Sequence, residues 1–117
     1  MLISVKEQKE ALIKLAVDMI NKYIPHYDEM GLFGSVARGT YSASSDVDLY
    51  LVTDDPIDKY VKAELSSDLD EIGVDIVFLK KDDFIINIDH LLVKNVMRDR
   101  RIISKRGDTG DIRRKIL

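Results

Sequence analysis

Apolar residues recur every three or four positions early in the chain, at Leu12, Leu15, Ala16, Met19, Ile20 and Tyr23, which traces one face of an α-helix. Ser4 and Glu7 stand at capping-box spacing just ahead of it. Pro25 ends the helix near Ile24, because a residue before proline is pushed out of the α region. The period then shortens. Met30–Phe33 reads as a strand running straight into Gly34-Ser35, residues 36–45 as a helical turn or loop, and residues 46–52 as a second strand. Asp55-Pro56 has the form of an N-cap followed by proline at the first helical position. It predicts a helix with Ile57, Tyr60, Val61, Leu65 and Leu69 on its apolar face and Gly73 at its exit. "VDIVFL", residues 74–79, reads as a third strand. A last helix over much of 83–98 turns Leu92, Val93, Val96 and Met97 inward, and "RIIS", residues 101–104, adds a short edge strand. The charged remainder either frays or docks on a partner through Ile112 and Leu117. Helices alternating with short strands predict one domain over residues 1–117, of α/β (α+β) class. The expected core is a small mixed sheet of about four strands with helices packed mainly on one face; strand order is not readable from the pattern.

Composition narrows the classes of function. An apolar fraction of 45% and a charged fraction of 33% suit a folded globular domain. The net charge of −3 gives no electrostatic reason to expect direct nucleic-acid binding. No apolar run approaches the roughly 18–20 residues of a membrane span, and no signal-peptide layout heads the chain. The expectation is therefore a cytoplasmic protein that does not engage a membrane. Cysteine is absent and the two histidines, His26 and His90, lie far apart, which excludes disulfides and thiolate-bound zinc and disfavours an imidazole-rich metal site. Any metal should be a hard ion held by carboxylates.

Against that background one stretch stands out, "GLFGSVARGTYSASSDVDLYLV", residues 31–52. An unpartnered carboxylate inside a strand is costly, yet Asp46 and Asp48 open one. Alternation along a strand sends Asp46, Asp48 and Tyr50 to one side and Val47, Leu49 and Leu51 to the core. Asp75 opens another apolar strand. If the two strands are neighbours, three carboxylates converge, and like charges that close repel unless protons or cations intervene. Two Mg²⁺ ions resolve the conflict, because their octahedral demand is met by carboxylate and polyphosphate oxygens. Gly34-Ser35 supplies the matching half: a strand end with free amides, no side chain at Gly34 to block an anion, and a hydroxyl at Ser35. Arg38, one turn on, is placed either to offset phosphate charge or to form a surface salt bridge. Ten positions, 36–45, separate Ser35 from Asp46, enough to return the chain to the adjacent strand.

"GS" at 34–35, "DVD" at 46–48 and "VDIV" at 74–77 together resemble the polymerase-beta-type nucleotidyltransferase superfamily. The fuller string "FGSVARG…SDVDL" resembles its minimal branch, the MntA-like antitoxins. The likeness continues more weakly through "VKNVMRDRRIIS", where Arg100 replaces a glycine common in the family. The resemblance implies that Asp46 and Asp48 hold two Mg²⁺ ions and that Asp75 completes one of them and helps deprotonate an acceptor hydroxyl. Gly34 and Ser35 would grip the outer phosphates of a nucleoside triphosphate, usually ATP. The implied acceptor is a tyrosine on a HEPN-domain toxin, silenced by attached AMP. Missing room for an acceptor-binding domain also points to a wall supplied by another polypeptide. Two other readings stay open: transfer to a small molecule such as an aminoglycoside, and an antitoxin that masks its toxin without catalysis. Taken singly, each motif has a structural explanation, Gly34-Ser35 as a plain turn, the aspartates as strand-entry caps, and Tyr50 as half-buried packing.

Overall fold

The computed structural model describes residues 3–82 and 91–105. Helix α1, Val5–Tyr23, begins with the expected reciprocal cap: Ser4 Oγ accepts from the Glu7 amide at 3.1 Å while Glu7 reaches back to the Ser4 amide. It closes at Ile24, whose amide donates to the Ile20 carbonyl at 2.8 Å, immediately before Pro25. Strand β1, Glu29–Phe33, leads without a break into the short helix α2, Gly34–Arg38, and strand β2 follows at Val47–Thr53. Helix α3, Lys59–Glu71, crosses over to strand β3, Val74–Lys80. Helix α4, Leu91–Asp99, then feeds the last strand, β4, Arg101–Lys105.

The four strands form one mixed sheet in the order β3-β2-β1-β4, with β2 and β3 parallel and both β1 pairings antiparallel. The β2–α3–β3 crossover is what a parallel pair requires, since a tight hairpin joins only antiparallel strands. One sheet face buries Met30, Leu32, Val47, Leu49 and Leu51 under α1 and α3, which contribute Ala16, Ile20, Leu65 and Leu69. Fully burying each such leucine contributes about 2 kcal/mol. The opposite face carries Tyr50, Val52 and Leu79, covered by Val96 and Leu92 of α4. The two long helices thus share a face, and the shorter α4 closes part of the other.

Three local expectations change. The third helix starts at Lys59 rather than at Pro56, because Asp58 is the cap, accepting the Tyr60 and Val61 amides at 2.8 and 3.3 Å. Its apolar stripe accordingly runs through Val61, Leu65 and Leu69, and Tyr60 lies off it, 73% exposed. On α4, Val93 and Val96 are buried but Met97 is exposed, one position beyond the stripe. The expected helix residues 83–90 and the tail from 106 lie outside the described residues.

Tyr50, expected half-buried, is fully buried, and its hydroxyl donates to Glu29 Oε2 at 2.6 Å. Arg100 donates to the same oxygen at 3.1 Å. The Glu29 carboxylate, 6% exposed, is therefore paired in a network tying β1 and β2 to the α4–β4 turn, as a buried charge requires. Burial and the Glu29 bond push the Tyr50 phenol well above its ordinary pKa. Gly31 makes room for this ring, because a β-carbon there would meet the Tyr50 hydroxyl at 2.5 Å and the Arg101 carbonyl at 2.6 Å. Arg100, in the place of a glycine, adopts ordinary backbone, for no non-glycine among the described residues has a positive φ.

Candidate active site

The polar residues singled out in the sequence collect at one end of the sheet. Antiparallel pairing sets Phe33, the last residue of β1, opposite Asp48. Parallel pairing sets Asp48 beside Asp75 and Val47 beside Val74. The corner after β1 and the openings of β2 and β3 therefore share one rim. Asp46 stands just before β2, exposed, and its Oδ1 lies 3.8 Å from where a β-carbon on Gly73 would sit.

Gly34 is required twice over. Its φ of +75° is the left-handed region that side chains disfavour, and a β-carbon there would overlap Asp48 Oδ2. The same absence of a side chain brings the Gly34-Ser35 backbone against the Asp48 carboxylate. Phe33, ahead of α2, offers no side-chain cap to the first amides of the turn. At its far end α2 closes on Gly39, also at positive φ, with the Thr40 amide donating to the Ser35 carbonyl at 3.0 Å.

The electrostatics of the rim are strained in one direction. Asp48 is half-buried, and loss of hydration raises its carboxyl pKa above the ordinary value; the charges of Asp75 and Asp46 raise it further, against a smaller opposing pull from Arg38. Asp75 is more open to solvent, yet partial loss of hydration, Asp46 and Asp70 raise it as well. Asp48 and Asp75 are thus both perturbed by neighbouring carboxylates, the situation a cation relieves. Among the described residues no three such side chains are drawn close enough to enclose a metal ion as they stand. The donor set is nonetheless one of hard oxygens, arranged beside the Gly34 backbone corner. It fits a hard divalent cation and does not fit a soft one.

Arg38 is already engaged. It forms an ion pair with Asp99 of α4 at 2.6 Å, and Asp99 also accepts from Arg98 Nε at 2.9 Å. Hydrogen bonds from Arg98 and then Arg38 hold the Asp99 carboxyl down at about 2. Arg38 thus makes a salt bridge with Asp99, and its charge also acts on Asp48 at the rim.

Residues 6–108 match the family model for polymerase beta nucleotidyltransferases. The chain belongs to this family. It is a nucleotidyltransferase, with the four-stranded mixed sheet of that fold. Its structure is similar to that of a Sulfolobus solfataricus protein described as a nucleotidyltransferase, at 23% identity and a TM-score of 0.62 over 88% of this chain and 86% of that one. It is similar to a chain from a complex of a tri-AMPylated Shewanella oneidensis HEPN toxin with an MNT antitoxin, at 15% identity and a TM-score of 0.57 over 88% and 77%. A toxin–antitoxin structure with AMP-PNP matches at 19% identity and a TM-score of 0.57 over 82% and 75%. At these identities the likeness is one of fold. No curated protein sequence matches the chain.

In this nucleotidyltransferase a cleft of about 590 Å³ opens beside the aspartates, lined by Asp48 and Asp75 together with Ser66, Ser67 and Asp70 of α3. Sequence reasoning did not single out the three α3 residues. Their signal is faint: Ser66-Ser67 and Asp70 stand on either side of Leu69 in a helix whose apolar stripe runs through Leu65 and Leu69. Lys9 was also overlooked. It is 7% exposed and sits on the face of α1 that carries Leu12, Ala16 and Ile20, where a lysine needs a reason.

Proposed function

We propose that the protein transfers AMP from ATP to a hydroxyl of a partner protein, as an antitoxin of the MNT type acting on a HEPN-domain toxin. The observation that carries this reading is the in-register placement of Asp48 and Asp75 on adjacent parallel strands, with Gly34 against Asp48. Asp46, Asp48 and Asp75 would hold Mg²⁺, which when bound neutralises the triphosphate and makes the α-phosphorus a better electrophile. The amides of the Gly34-Ser35 turn and the Ser35 hydroxyl bind the outer phosphates. The acceptor oxygen forms its bond to the α-phosphorus as the bond to the β-phosphate breaks, and pyrophosphate leaves. Asp75, beside the cleft, takes the acceptor proton. The open cleft beside Asp75 receives the acceptor side chain, with tyrosine the reading the family supports.

The supporting likenesses are the complex containing a tri-AMPylated toxin and the one containing AMP-PNP. The test is intact mass spectrometry of a co-expressed HEPN-type partner before and after Mg²⁺ and ATP. The reading predicts mass increments of AMP on the partner, absent with Asp48→Asn. Transfer to a small molecule by the protein alone would replace it with a metabolite-modifying enzyme. Neutralisation of the toxin that survives Asp48→Asn would replace it with masking.

A further inference from the structure

Lys9 is the one lysine of α1 that is buried, and it reaches out of its helix to the loop ahead of β2. Its Nζ donates to the Ser45 carbonyl and, at 3.3 Å, to the Ala43 carbonyl, 36 and 34 residues away in sequence. The Ser45 carbonyl belongs to the peptide that carries the Asp46 nitrogen. On the other side of Asp46, the Val47 amide donates to the Gly73 carbonyl at 3.1 Å. The backbone of Asp46 is thus held from both sides, by a cation on α1 and by the turn before β3. The loop has its own stiffening, since the Ser42 amide donates to Ser45 Oγ at 3.0 Å and the Ser45 amide to the Ser42 carbonyl at 3.1 Å. Those bonds close the loop on itself, and Lys9 ties it to the packed body of the domain through α1.

We infer that Lys9 is a positioning residue: by gripping the Ser45 carbonyl it fixes the backbone from which Asp46 projects, and so limits how far the Asp46 carboxylate must move to join Asp48 and Asp75 on a shared cation. The inference rests on the reading of Asp46 as a metal ligand given above. A lysine suits the task because its ammonium offers three donors and can satisfy two carbonyls at once while remaining out of water. It makes no claim on the cation site itself, as a carboxylate in its place would.

The test compares the wild type, Lys9→Met, Lys9→Arg and a control, Ile20→Val, which trims the same helix's buried face away from the loop. Two readouts are taken on the full chain: Mn²⁺ affinity by electron paramagnetic resonance with a non-hydrolysable ATP analogue, and amide hydrogen exchange across residues 42–47. Lys9→Met should weaken Mn²⁺ binding by about tenfold, the usual lower effect of losing a residue that orients a ligand. It should also speed exchange in the loop, while Lys9→Arg recovers most of both and Ile20→Val changes neither. Wild-type Mn²⁺ affinity and exchange in Lys9→Met would overturn the inference and leave the site intact. A wild type that binds no Mn²⁺ would instead overturn the reading of the site. Should Lys9→Met not fold, Lys9→Gln, which keeps a neutral donor, is judged by the same two readouts.

Discussion

Asp48 stands between the last residue of β1 and the second residue of β3, so any change there is felt by both the Gly34 corner and the carboxylate rim. Its raised pKa also makes a statement about stability. A carboxyl whose folded pKa lies above the unfolded value stabilises the fold while protonated, and that contribution is lost as pH rises through the folded pKa. Near neutral pH the ionised Asp48 is therefore a cost to the metal-free protein. Asp48→Asn should abolish transfer yet melt higher at pH 7, by less than about 1 kcal/mol because the carboxylate keeps part of its hydration. Thermal melts of both proteins should converge as pH falls below the ordinary carboxylate range, where the wild-type group is also neutral. Gly34→Ala should act the other way, losing activity and about 1 kcal/mol or more of stability through its positive φ and the overlap with Asp48. These residues were legible because their chemistry conflicts with their setting: aspartates opening apolar strands and a glycine at a strand end have few bland reasons to occur in that order. Lys9 was not legible in the same way, since its two partners are backbone carbonyls and leave no side-chain signature.

At the scale of elements, caps were readable where a single candidate was present and ambiguous where several competed. Ser4 with Glu7 marked α1 unopposed, whereas Asp54, Asp55 and Asp58 all precede α3 and the tertiary path chose the last. Asp58→Ala should cost about 1 kcal/mol by denaturant melt, while Asp55→Ala should be nearly neutral. Arg100 makes a sharper case. Its guanidinium serves the buried Glu29 carboxylate that also receives the Tyr50 hydroxyl. Arg100→Gly should destabilise by about 1–3 kcal/mol, the cost of removing a charged partner from a buried group. A variant that melts as the wild type does would show that Lys105, 4.0 Å from Glu29 Oε1, is partner enough.

For the molecule as a whole, the sheet gathers at one end what the sequence spreads over some forty residues, from Gly34 to Asp75. The mixed sheet and its helices followed from periodicity, but the order β3-β2-β1-β4 did not, because partners across a sheet are chosen by packing rather than by local pattern. That order is what makes Asp48 and Asp75 neighbours. No helix among the described residues is long and apolar enough to cross a membrane. The most direct measurement is an anomalous difference map from crystals grown with Mn²⁺ and a non-hydrolysable ATP analogue. Manganese bound jointly by Asp46, Asp48 and Asp75, with the outer phosphates on the Gly34-Ser35 amides, is the predicted result. Manganese held without Asp75, or a nucleotide seated away from the Gly34 corner, would contradict it.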